Sequence, residues 1–227
     1  MEPLDFSAKT SLIAGVSADM IEIYRSLIPK AGKAGLMSRN EKKLDQLMQR
    51  LIGWGVDAAS FRADVTDSAS VLEAFREFSV WSKRLDVFIY NVGVVSNESA
   101  SEVTESELSR VMSANFFGFV NCFQLVMPMM KKTGGGQAVI ISGSSALEPE
   151  RESVAYAASN ASLQIYTKAL RRELAGTGIQ ITELYLGKMQ SGAGWRWLTC
   201  EEIVAGVLRA LSTVPDRLTI GTMKLSE

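Results

Sequence analysis

The sequence predicts an α/β protein built on one parallel β-sheet of about seven strands, with helices on both faces of the sheet. Two observations support this fold class. Short apolar runs alternate with longer helical segments along the chain, as in repeated βαβ units. The length of 227 residues suits one α/β domain with a full core, and no repeat, low-complexity tract or linker divides the chain. We therefore expect a single domain over residues 1–227.

The strands are expected where apolar runs are too short to form helices. In chain order they cover residues 10–14, 33–37, 58–62, 86–90, 138–142, 180–186 and 218–222. Helices are expected between the strands. The glycine run at residues 134–136 predicts the end of the long helix that precedes the fifth strand.

Polar residues mark where three of these helices begin. Thr104 is followed by Glu107, and Thr199 by Glu202, at the spacing of a capping box. In a capping box the hydroxyl and the carboxylate each accept a hydrogen bond from a backbone N–H group that the helix leaves free. Asp67 predicts a simpler cap, in which one side-chain oxygen accepts from the first turn.

The composition describes an ordinary globular protein, with 47% hydrophobic and 22% charged residues. A formal net charge of -1 gives no reason to expect a nucleic acid or an anionic membrane as a partner. The chain has no basic segment followed by an apolar one at its start, and no apolar run of about 18 residues. We therefore expect a cytoplasmic protein that binds no membrane.

The sequence contains no histidine. A Ser-His-Asp triad and any metal site with histidine ligands are thereby excluded, and no metal site is predicted. Acid-base chemistry would have to use a tyrosine, a lysine or a carboxylate. Cys122 and Cys200 are the two cysteines, and we expect both thiols to be free and reduced.

The first strand runs into a turn that begins at Gly15 and continues through Ser17 into a helix. In dinucleotide-binding folds, glycines in this turn let the backbone approach a pyrophosphate at the helix N-terminus. Asp19 lies in the same segment, and its carboxylate would repel a pyrophosphate. An acidic residue in a first helical turn also complements the helix dipole, so the turn leaves both interpretations open.

The second strand is followed by Ser38 and Arg39. At this position of a dinucleotide fold an acidic residue binds a ribose 2′-hydroxyl, whereas an arginine accommodates a 2′-phosphate. Arg39 therefore favours NADP over NAD. The alternative is an exposed arginine beside Asn40, which caps the next helix.

A helix rich in alanine and serine carries Tyr156, and Asn160 follows four residues later. The preceding long helix contains Asn115 in the run Asn-Phe-Phe-Gly, and the run Asn-Val-Gly at residues 91–93 closes the fourth strand. In this order the motifs resemble those of the short-chain dehydrogenase/reductase family. The resemblance runs from about residue 7 to residue 227.

The resemblance implies a Rossmann-like, doubly wound sheet with strand order 3-2-1-4-5-6-7. It implies an oxidoreductase that interconverts small-molecule alcohols and carbonyl compounds with NADP, or NAD, as cofactor. It also implies association into a homodimer or homotetramer. The cofactor-binding positions that it assigns are Gly15, Ser17, Ser38, Arg39, Asp64, Val65, Asn91, Gly93, Asn160 and Gly187.

Four catalytic positions follow from the resemblance. Tyr156 exchanges a proton with the substrate oxygen, and Asn115 holds a water for proton relay. The family spacing for the serine that polarises this oxygen falls on Gly143. We predict that Ser144 serves after a one-residue change in the loop, whereas a shift the other way would let Ser142 serve. Asn160 stands where the family has a lysine.

The replacement of lysine by Asn160 removes a positive charge that would lower the pKa of the tyrosine. An asparagine still donates hydrogen bonds to ribose hydroxyls. Asp19 and Ile21 stand where the family has further glycines. Lys188, after the sixth strand, is a hypothetical substitute for the missing charge.

Three functions are compatible with this pattern. The first is a divergent, NADP-preferring oxidoreductase with weakened activity. The second is a protein of the same fold that binds or assembles without redox turnover. The third is a non-redox lyase or isomerase that uses Tyr156 as its acid-base group.

Overall fold

The computed structural model describes residues 9–16, 32–149, 153–191 and 194–220, and of residues 188–191, 194–197 and 200 only the backbone. Its main sheet has seven strands, all parallel, in the order β3-β2-β1-β4-β5-β6-β7. The strands are Thr10–Ala14 (β1), Lys33–Ser38 (β2), Ala58–Arg62 (β3), Val87–Tyr90 (β4), Gly136–Gly143 (β5), Ile179–Leu186 (β6) and Arg217–Ile220 (β7). The fold class and strand order predicted from the sequence are confirmed.

Helices cover both faces of this sheet. They are Glu41–Gly53 (α1), Ser68–Trp81 (α2), Glu105–Lys132 (α3), Val154–Glu173 (α4) and Cys200–Thr213 (α5). Successive strand side chains point to opposite faces, so Leu12 packs in the cluster under α2 and α3, and Ile13 in the cluster under α1 and α5. The helix expected between β1 and β2 lies outside the described residues.

A two-stranded antiparallel hairpin, Lys188–Ser191 with Gly194–Trp197, follows β6 and was not expected from the sequence. The glycine run ends α3 as predicted. Gly134 has φ +86° and Gly135 has φ +135°, which are conformations that favour glycine. A Cβ at Gly135 would lie 2.3 Å from the Gly178 oxygen, so the start of β5 also needs this close approach.

Two of the three predicted helix caps form as expected, and the third forms only in part. The capping box of Thr199 and Glu202 is complete, and Asp67 accepts from the Ala69 N–H at 2.9 Å. The Thr104 hydroxyl accepts from the Glu107 N–H at 3.2 Å. The Glu107 carboxylate does not return this bond but pairs with Arg110 at 2.6 Å, because an oppositely charged partner lies one turn away.

Helix α3 is long and apolar enough to cross a membrane, the one such helix in the part of the chain that the structure describes. Its apolar face nevertheless packs in the core, where Phe119, Phe123 and Val126 are buried. Cys122 lies on the same face as a free thiol, and burial raises its pKa to about 12. The side chain of Cys200 lies outside the described residues.

A buried ionic network joins β6 to α4. Glu183 is 1% exposed, and its carboxylate accepts from the Thr167 hydroxyl at 2.5 Å and from the Arg171 guanidinium at 2.8 Å. The Tyr185 hydroxyl donates to the same carboxylate. Burial first, and then the bond to Glu183, raise the pKa of Tyr185. The network satisfies a carboxylate that could not otherwise be buried.

Replacing Arg171 by methionine should destabilise the protein by about 3 kcal/mol, because Glu183 would keep a buried charge without its partner. Equilibrium unfolding in urea measures this change. Arg172→Met is the matched control, since Arg172 is the exposed neighbour in the same helix. Equal losses in both variants would contradict a specific role for the buried ion pair.

Candidate functional site

The candidate site residues that the structure describes gather at the carboxyl edge of the sheet. Strand order reverses between β1 and β4, which lie side by side with parallel registers. Gly15 follows β1, Asn91 follows β4, and Ser144 follows β5. In open α/β sheets ligands bind in the crevice outside the carboxyl ends of strands at such a reversal.

Gly15 and Asn91 fasten the two central strand ends together. The Asn91 amide donates to the Gly15 oxygen at 2.7 Å, and the Asn91 N–H donates to the Ala14 oxygen at 2.8 Å. Gly15 has φ +85°, and a Cβ there would lie 2.6 Å from the Asn91 carbonyl carbon. This position therefore requires glycine on two grounds, its backbone conformation and the contact. Ser17, Asp19 and Ile21 lie outside the described residues.

Arg39 and Asp64 lie at the ends of β2 and β3, with Arg39 Nη1 3.7 Å from Asp64 Oδ2. Burial works to raise the pKa of Asp64, but hydrogen bonds from Thr66 and the charge of Arg39 outweigh it and lower the pKa below 3.8. The Asp64 side chain accepts from the Thr66 N–H and hydroxyl at 3.0 and 2.8 Å. The pair is exposed, so Arg39 remains open to a ligand anion.

The other expected cofactor-binding residues occupy the same edge. Ser38 ends β2, and its hydroxyl accepts from the Asn40 N–H at 3.2 Å. Val65 is buried after β3. Gly93 is exposed, with open space where a Cβ would be. Gly187 is buried, and its N–H donates to the Ile220 oxygen at 2.8 Å.

Asn115 lies in a π-helical turn, Ser113–Phe117, that interrupts α3. Its Oδ1 accepts from the Val94 N–H at 2.7 Å, and its Nδ2 donates to the Val94 oxygen at 3.0 Å. Nδ2 also donates to the Ser159 hydroxyl at 2.9 Å. One buried amide therefore holds the loop after β4, the helix α3 and the helix α4 in register. Such turns occur often at functional sites.

Two contributors to this junction were not identified from the sequence. Ser159 is fully buried, and its hydroxyl donates to the Tyr156 carbonyl oxygen at 2.8 Å. It thereby connects Asn115 to the helical turn that carries Tyr156. The Tyr90 hydroxyl donates to the Ala114 oxygen at 2.6 Å, inside the π-helical turn. No local pattern announces a π-helical turn, so only the structure reveals these contacts.

Tyr156 and Asn160 lie one helical turn apart on α4, on the face towards the sheet edge. Tyr156 is half-buried and Asn160 is 3% exposed. Burial raises the pKa of Tyr156 above 10.0, and the Asn160 amide opposes part of this rise. The Asn160 Nδ2 atom makes no hydrogen bond of good geometry to any described residue. A buried donor without a partner can serve a bound ligand.

The end of β5 brings Gly143 against the tyrosine. A Cβ at Gly143 would lie 2.5 Å from Tyr156 Cε1. Ser144 is buried at the start of a short 3₁₀ helix, Ser144–Ala146. The hydroxyls of Ser142 and Ser145 are buried and have no hydrogen-bond partner in the described part of the chain. The catalytic role of Ser144 stays a prediction.

Fold and site together define a dinucleotide-type α/β protein with a tyrosine, Tyr156, against the end of β5 at the carboxyl edge of its sheet. The family model described as short chain dehydrogenase matches residues 14–199. The chain belongs to the short chain dehydrogenase family, and it is an oxidoreductase of the kind that acts on alcohol and carbonyl groups.

Curated relatives and solved structures agree with this assignment. The 2,3-dihydro-2,3-dihydroxybenzoate dehydrogenase of Bacillus subtilis is 25% identical over 218 residues, covering 94% of this chain and 84% of the relative. A gluconate 5-dehydrogenase from Burkholderia cenocepacia, solved with NADP and tartrate, superposes with a TM-score of 0.85 at 22% identity and covers 96% of each chain. Actinorhodin polyketide ketoreductase with NADPH superposes at 0.86 and 19% identity, covering 94% and 96%.

Replacing Asn115 by alanine should destabilise the protein by about 2–4 kcal/mol, because it leaves the Val94 N–H and oxygen unpaired. Urea unfolding gives the magnitude, and faster amide hydrogen exchange at Val94 identifies the cause. Asn121→Ala is the control in the same helix, since among the described residues the Asn121 amide donates only to the Val65 oxygen. Unchanged exchange at Val94 would count against the three-way junction.

Proposed function

We propose that this protein is an NADP-preferring oxidoreductase that reduces a small carbonyl compound, or oxidises the matching alcohol, with weakened turnover. The observation that carries the proposal is the position of the Tyr156 phenol, which lies beside the buried Asn160 amide and against the end of β5 at the carboxyl edge of the sheet. The whole chain, residues 1–227, would form one domain and act in the cytoplasm.

The described residues fit a dinucleotide. Gly15 brings the backbone of the first turn against Asn91, Gly93 leaves open space, and Arg39 offers an exposed cation for a 2′-phosphate. The buried Asn160 Nδ2 can donate a hydrogen bond to the oxygen of a ribose hydroxyl. NADP, when bound, supplies or removes a hydride. The NADP and NADPH of the two solved relatives support this choice of cofactor.

The chain's own part in the reaction is proton transfer at the Tyr156 hydroxyl. Because burial raises its pKa, the phenol keeps its proton at neutral pH and can donate it to a carbonyl oxygen. Oxidation needs the phenolate as base. Asn160 carries no charge, so it stabilises the phenolate less than a lysine would. The site therefore favours reduction over oxidation.

Asn115 and Ser159 would hold this phenol in place. Ser159 accepts from Asn115 and donates to the Tyr156 carbonyl oxygen, so the turn of α4 that presents the hydroxyl is anchored to α3. We propose that Ser144 polarises the substrate oxygen and that Asn115 supports a water relay. The position of Ser144 directly after β5, and of Asn115 in the helix that follows β4, supports these roles.

The neutral Asn160 and the missing side chain at Gly143 favour a second candidate, a binding or assembly protein of this fold without redox turnover. A lyase or isomerase that uses Tyr156 alone is a third. Saturable NADPH binding separates the first from the others.

A homodimer or homotetramer is part of the proposal, supported by exposed Leu108 and Phe117 on α3 and Ile165 on α4. Light scattering after size exclusion measures the assembly mass.

NADPH should bind saturably, and Arg39→Ser should weaken NADPH binding by about tenfold while leaving NADH binding unchanged, because the lost contact is to the 2′-phosphate alone. Nicotinamide fluorescence measures both affinities. Arg62→Ser is the control, since Arg62 is equally exposed at the end of β3. Absence of saturable binding in the wild type at about millimolar NADPH would sink the proposed function. Equal weakening for both cofactors would refute the 2′-phosphate contact.

Tyr156 should titrate above pH 10.0, the ordinary value for tyrosine. Because its folded-state pKa is raised, its contribution to stability is complete below about pH 10 and declines as the pH rises further. Tyr156→Phe should remove part of that alkaline decline and the matching step in tyrosinate absorbance. The same substitution should lower the rate of carbonyl reduction by about a hundredfold or more, because the proton donor is lost. A phenol that ionises below pH 10.0 would contradict the dominance of burial over the Asn160 amide.

A further inference from the structure

Gly143 has an ordinary extended backbone, with φ -90° and ψ 144°. Any residue adopts this conformation, so the backbone does not require a glycine here. The requirement comes from Tyr156 instead. A Cβ built on Gly143 would lie 2.5 Å from Tyr156 Cε1 and 2.7 Å from the hydroxyl oxygen. Real Cβ atoms essentially never approach other heavy atoms this closely.

The phenol ring therefore lies directly against the end of β5, in the space that a side chain would otherwise fill. Two neighbouring residues, Asn160 and Ser159, limit how the ring and its main chain can move. Asn160 lies one helical turn beyond Tyr156 and is buried, and Ser159 anchors the Tyr156 main chain to Asn115. Because the main chain is held, a side chain at residue 143 would move the ring rather than the helix.

We propose that Gly143 is a positioning residue of this site: its missing side chain lets the Tyr156 ring lie against the end of β5 and fixes where the hydroxyl meets the substrate oxygen. The inference rests on the proposed function, in which Tyr156 is the proton donor. Gly143→Ser would place a Cβ in the space that the ring now fills and so displace the phenol.

The test follows the Tyr156 hydroxyl itself, by NMR titration of protein labelled at the tyrosine Cζ carbon, with Tyr156→Phe to assign the signal. In Gly143→Ala and Gly143→Ser the Tyr156 titration should move down towards pH 10.0, because the displaced ring is less buried. Gly53→Ala is the control, since a Cβ at Gly53 meets nothing within 4 Å. A Tyr156 titration that stays unchanged in both Gly143 variants overturns the proposal.

A second measurement covers a variant that folds poorly. If Gly143→Ala lowers the melting temperature, Tyr156→Ala in the same chain should abolish that loss, because the ring that the Cβ meets is gone. A loss that persists in the Tyr156→Ala background contradicts the proposal. Neither readout depends on turnover or on NADPH binding, so failure of the proposed function and failure of the positioning role are distinguishable.

Discussion

The pairing of β1 with β2 on one side and β4 on the other is the constraint on which the site depends. Between β1 and β4 the chain changes the direction in which it adds strands, and ligands of open α/β sheets bind at such a reversal. Gly15 and Asn91 meet at these two strand ends in a contact that admits no Cβ. The described residues that are proposed to bind or react lie around this edge.

The site differs from its relatives' usual chemistry mainly in electrostatics. Burial raises the pKa of Tyr156, and a neutral amide rather than an ammonium stands beside it. A nearby cation would stabilise the phenolate, whereas a neutral donor at the same place stabilises it much less. The proton is therefore held more tightly. In the proposed reaction, proton donation to a carbonyl is therefore the easier direction and proton removal from an alcohol the harder one.

The strands were predictable because they depend on short-range patterns, such as apolar runs and glycine turns, and their order followed from the family resemblance. Four features were not predictable in this way. The π-helical turn around Asn115 and the hairpin after β6 have no local signature. Glu107 pairs with Arg110 rather than completing a cap, because two local partners compete for one carboxylate. The contact of Gly143 with Tyr156 arises only when β5 and α4 pack together.

That contact changes how the two departures from the family pattern relate to each other. In the sequence, a glycine at the family's serine spacing and an asparagine in place of its lysine look like independent changes. In the structure the Tyr156 ring fills the space left at Gly143, and the Asn160 amide lies beside the same phenol. Adding a lysine at residue 160 would stabilise a phenolate whose ring position is still set by Gly143. Adding a serine at residue 143 would displace the ring from the amide. The two positions act on one side chain, so their effects on its hydroxyl cannot be additive.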